Sequence, residues 1–104
     1  MEAFNFPDNL PPLPPSPNPW TANVLAAHQV LNNAYTRALE TLRQEDSDAV
    51  RYKLLSSNIV DNLVPILENM EGDGAPRHWV EAAANILGPL VYELQLSALA
   101  AEGM

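Results

Sequence analysis

Residues 86–101 read ILGPLVYELQLSALAA, and placed on a helix they are apolar on nearly every side. The helix predicted around them runs from about Pro76 to Glu102. Trp79, Val80, Ala83, Ile86, Leu87, Leu90, Val91, Leu94, Ala98 and Leu99 cover much of its circumference, with Tyr92, Leu96 and Ala100 on the remaining side. A helix apolar nearly all round has to be covered on most of its faces. What covers this one decides the fold.

Two further helices precede it. From about Trp20 to Gln44 the residues Val24, Ala27, Leu31, Ala34, Tyr35, Ala38 and Leu42 recur at three- and four-residue steps, with Gln29, Asn32, Asn33, Thr36, Arg37, Glu40, Arg43 and Gln44 opposite, which predicts one buried face. Asn18 and Pro19 have the chemistry of an N-cap and a first helical residue, so the helix is expected from residue 19 to about 45. In the acidic stretch EDSD, Asp46 or Ser47 suits a cap for the next helix, expected at 48–71. There Tyr52, Leu55, Ile59, Leu63, Ile66 and Met70 form a stripe that Val60, Val64 and Leu67 widen. EGDGAP ends it, with Gly72 or Gly74 able to take a left-handed conformation and Pro76 able to open the last helix at 76–102.

The expected architecture is therefore all-α, a three-helix up-down-up bundle in residues 19–104. Residues 1–18 form a separate unit. Six of the ten prolines stand in it, at positions 7, 11, 12, 14, 15 and 17, with Pro19 directly after, which predicts an extended polyproline II segment. Helices of roughly 25 residues are each nearly 40 Å long at about 1.5 Å per residue, and two neighbours cover only part of the third. The remaining cover is expected from the N-terminal strap and from a second copy, with Trp79, Leu87, Leu90, Leu94 and Leu96 as the self-association residues of a homodimer.

Composition narrows the function. Thirteen acidic against five basic residues give a net charge of -8, which repels a phosphate backbone and disfavours nucleic acid and anionic membrane surfaces. The apolar run is short for a membrane span and is interrupted by Glu93 and Gln95. Without cysteine there is no disulfide framework or thiolate chemistry. With Glu2 and no basic residue near the start, an intracellular setting, cytoplasmic or nuclear, is expected.

Catalytic patterns are missing. His28 and His78 stand on different helices, and His78 with Glu81 reverses the Glu-x-x-His order of di-iron bundles. Ser56, Ser57 and Asn58 lie mid-helix without a nucleophile elbow, and the glycines form no phosphate loop. No metal or cofactor is expected. The outline of three helices in a dimer is similar to that of AroQ-type chorismate mutases, but Arg37 and Arg43 fall on a polar face and the negative chain opposes a dianionic substrate.

Two features bear on partners. LVPILENM and LGPLVYEL place Pro65 and Pro89 in matching contexts 24 residues apart, where each removes a helical N–H and crowds the carbonyl of Asp61 or Asn85. A groove between those kinks would suit a ligand-binding or enzymatic helical dimer, the alternative to a non-catalytic interaction module. The second feature is Leu10, Pro11, Pro12, Leu13, Pro14 and Pro15. PPLP resembles one class of WW-domain ligand and LPPLP resembles the pattern read by EVH1 domains, which implies a protein partner for the tail; SH3 ligands add a cation that is absent before Arg37. The large apolar side chains Phe4, Phe6, Leu10, Leu13 and Trp20 equally suit a strap on this chain's own bundle or a partner's, and Ser16-Pro17 offers a proline-directed phosphorylation site.

Overall fold

The computed structural model describes residues 6–15 and 20–102. Among them there is no strand, and three long helical rods account for most of the chain. The first, α1, is Ala22–Gln44. The second is composite: α2 (Asp48–Leu55), a π-helical segment (Ser56–Leu63) and α3 (Val64–Met70). The third, α4, is Arg77–Glu102. The molecule measures 52 × 26 × 19 Å, long in one direction and thin in another.

Helix α1 starts later than its sequence suggests. Thr21 is the N-cap: its backbone is extended and its Oγ1 accepts the Val24 N–H at 3.2 Å. Trp20 therefore precedes the helix, and the proposed Asn18 cap, like Ser16 and Phe4, lies outside the described residues. A threonine that bonds a first-turn N–H fixes the start where the orphan donors are satisfied. Ser47 caps α2 in the same way, accepting the Val50 N–H, while the Arg51 guanidinium donates to the Glu45 carbonyl and ties the connection down.

The second rod departs from a regular α-helix because of Pro65. In the π segment the Val64 N–H reaches the Ile59 carbonyl five residues back, and the next residue, Pro65, has no N–H to give. The wider turn eases the crowding that a proline ring imposes on the carbonyl four residues earlier. The rod buries a narrower line than its pattern predicts. Leu55, Ile59, Leu63, Leu67 and Met70 form the core face, whereas Tyr52 and Val60, expected to be inside, are 42% and 48% exposed. Helix α4 continues through Pro89 without such widening, so the two prolines have unlike surroundings.

Gly74 closes the rod with φ +108°, the one positive φ among the described residues, and the Ala75 N–H bonds back to the Met70 carbonyl at 2.9 Å. Pro76 then acts as the cap of α4 rather than its first residue, its carbonyl accepting the Trp79 and Val80 N–H groups.

The second rod lies between α1 and α4 and packs on both; among the described residues no Cα of α1 comes within 8 Å of a Cα of α4. One core results, from Val24, Leu31, Tyr35, Ala38 and Leu39 on α1, the line just named on the second rod, and Trp79, Ala83, Leu87, Leu90 and Leu94 on α4. Leu10 of the N-terminal segment belongs to this core at 3% exposure, with Phe6, Leu13 and Trp20 packed against it.

Candidate functional site

The N-terminal segment poses a hydrogen-bonding problem that the bundle solves. Prolines remove N–H donors and keep carbonyl acceptors, so a proline-rich strand carries surplus acceptors that a partner surface must satisfy. Three of its carbonyls find side-chain donors. Pro7 accepts the Tyr35 hydroxyl at 2.7 Å, Pro11 accepts the Trp79 indole N–H at 2.8 Å, and Pro14 accepts the Trp20 indole N–H at 3.0 Å. Buried tyrosine and tryptophan bring apolar area together with a polar tip, which suits both halves of the task.

His28 completes the arrangement. Its Nε2 lies 3.2 Å from the Pro11 carbonyl, an acceptor only, so Nε2 carries the proton and Nδ1 is left as an acceptor. The Asn32 amide Nδ2 lies 3.3 Å from that Nδ1, and Asn32 Oδ1 accepts the Leu10 N–H at 3.3 Å. The imidazole is tilted 53° to the Trp79 ring with centroids 5.5 Å apart. His28, Asn32 and Tyr35, at i, i+4 and i+7, thus present one edge of α1 to the strap. Strap positions 7, 10 and 11 meet α1 positions 35, 32 and 28, so the strap runs opposite to α1.

From Asn9 to Pro15 burial along the strap has a period of three. Asn9, Pro12 and Pro15 are exposed, and Leu10, Pro11, Leu13 and Pro14 are buried or half-buried. Three residues per turn is the polyproline II repeat, and one ridge of the three faces away from the protein. Of the six tail residues singled out for an external partner, only Pro12 and Pro15 are exposed; the two leucines point at the bundle.

The residues expected to mediate self-association divide differently. Trp79, Leu87, Leu90 and Leu94 lie in the chain's own core, and only Leu96 remains outside, at 38% exposure. Beside it on α4 stand Tyr92 at 51% and Leu99 at 64% exposed, with half-buried Pro89 one turn before. Tyr92 and Leu99 are the large apolar residues that share the exposed side of α4 with Leu96. Their signal was the spacing 89, 92, 96 and 99 on the side of α4 left over by its core face.

Pro65 is exposed on α3 and Pro89 is half-buried on α4. An open, polar depression of about 580 Å³ lies elsewhere, between the C-terminal half of α1 and the start of the π segment, with Arg37, Glu40, Ser57 and Asn58 in its wall. Neither proline lines it. Among the described residues no three His, Asp or Glu side chains come together as a metal site, and no helix is long and apolar enough to cross a membrane.

No protein-family model, curated protein or solved structure matches the chain.

Proposed function

We propose that this chain is a non-catalytic protein–protein interaction module that self-associates through α4, its rods arranged up-down-up and two copies meeting along the stripe Pro89, Tyr92, Leu96 and Leu99. The observation that carries the reading is the spacing of that stripe. Steps of three, four and three residues are those of a helix–helix seam, in which alternate positions interlock with a second helix.

Charge supports the same reading. From Ala82 to Ala101 the helix carries a single charged side chain, Glu93, in a protein of net charge -8. A surface that excludes charge while the rest of the chain accumulates it has the composition of an interface centre. Two like-charged chains repel at long range, so association rests on the apolar contact rather than on electrostatic attraction. The lack of cysteine accords with a reducing, intracellular compartment.

The test is a Leu96→Asp, Leu99→Asp double variant followed by light scattering. Both positions are exposed, so the helical circular dichroism is expected to remain while the mass falls to that of one chain. A variant that retains the mass of the unmodified protein would count against the stripe.

A further inference from the structure

We propose that the groove between α1 and α4 is a receptor for proline-rich peptides, occupied in this structure by the chain's own strap and open to a segment of the same chemistry supplied by another chain. Each of the polar groups that define it bonds the strap backbone. The Trp79 indole N–H, the His28 Nε2–H and the Tyr35 hydroxyl all donate to strap carbonyls, and Asn32 Oδ1 accepts the strap's Leu10 N–H. A helical protein needs none of these contacts to close its core.

The pattern of contacts states what the groove selects. Donors aimed at carbonyls favour a chain with few N–H groups of its own, and a polyproline II segment has already lost the entropy that a flexible peptide would lose on docking. Asn32 accepts one N–H, at Leu10, which sets the register: a residue with an N–H must stand directly before the proline whose carbonyl meets Trp79 and His28. The Leu10 seat is buried to 3% exposure and demands an apolar side chain. Among the described residues no ion pair reaches Leu10 to Pro15; the pair of Asp8 with Arg43, at 3.6 Å, lies toward the N-terminal end of the strap and is largely exposed. The ligand class is thus an uncharged, extended peptide with the core Leu-Pro-Pro-Leu, recognised in the manner of other aromatic grooves that read such helices.

Because the strap is tethered, it competes at an effective concentration on the order of millimolar. An outside peptide gains the site when the strap is weakened. The experiment uses the full chain carrying Leu10→Asp, whose strap cannot fill the seat, and a dye-labelled synthetic peptide of residues 6–15 read by fluorescence anisotropy. The variant is expected to bind this peptide at least about tenfold more tightly than the unmodified chain does, since the tethered competitor has been disabled. A peptide carrying the same Leu10→Asp change is expected to lose binding. Adding Trp79→Phe to the protein should weaken the peptide about tenfold, the scale of one hydrogen bond.

Native helicity with no binding of the peptide would overturn the proposal, as would equal binding of the two peptides. If the Leu10→Asp chain loses helicity, the same titration reads its recovery: restoration by the unmodified peptide and not by its Leu10→Asp form supports the receptor, and no restoration refutes it.

Discussion

The indole of Trp79 on α4 and the imidazole of His28 on α1 converge on one acceptor, the carbonyl of Pro11, at 2.8 and 3.2 Å. Two helices whose backbones do not approach each other are thereby joined through a third segment. Trp79→Phe keeps most of the ring and removes one donor, while His28 still serves the carbonyl. The expected cost is about 2 kcal/mol, measured by urea unfolding: about 1 for a hydrogen bond lost without orphaning its acceptor and about as much for the space the smaller ring leaves in the core.

Leu10 contributes through area. A leucine moved from water to a site 3% exposed contributes about 1.5–3 kcal/mol. Leu10→Ala is expected to destabilise the protein by about 2 kcal/mol, near the lower end for core truncations because a strap can settle into the space. The melting temperature should fall by roughly 10 °C. An unchanged melting temperature would show that the strap is not part of the folded unit.

Tyr35 makes the strap sensitive to alkali. Burial pushes its phenol above the ordinary value; Arg43 opposes that shift, and the Asp8 carboxylate adds to it. A phenol whose folded pKa is raised contributes stability that is complete below the unfolded value of about 10 and is lost as pH rises through the folded one. The tyrosinate also cannot donate to Pro7. Absorbance titration is expected to show a late-ionising tyrosine component that Tyr35→Phe removes. A titration whose late part survives that substitution would contradict the assignment.

Gly74 holds a φ of +108°, and a Cβ built there meets nothing within 4 Å. Substitution is therefore a matter of backbone conformation alone. Gly74→Ala is expected to cost about 1–2 kcal/mol by chemical denaturation, with no change in the spectrum of the folded state. Gly72 has ordinary backbone geometry, so Gly72→Ala serves as the milder comparison.

The three rods were legible because their apolar residues keep helical spacing over more than twenty positions. Both helix starts carry a side-chain cap; the one at Ser47 was legible, and the one at Thr21 was outweighed by a proline beside an asparagine just before it. On the second rod Leu55, Ile59, Leu63, Leu67 and Met70 were legible as its buried line, whereas a reading that assumes one period throughout also puts Val60, inside the π turns, and Tyr52, one turn before them, in the core.

The candidate site was half legible. The strap's apolar residues and the excess of apolar surface on the last helix were both visible. Which α4 residues face inward depends on where the second rod sits: Trp79, Leu87, Leu90 and Leu94 lie in the core, and Tyr92 and Leu99 are exposed. His28, Asn32, Tyr35 and Trp79 gave no sign of acting together, because the acceptor that unites them is backbone and leaves no mark on side-chain pattern.

Self-association is tested most directly by sedimentation velocity of the unmodified chain from low micromolar to several hundred micromolar. A seam at Pro89, Tyr92, Leu96 and Leu99 predicts a sedimentation coefficient that rises with concentration from the one-chain to the two-chain value. A single one-chain species across the whole range would contradict it.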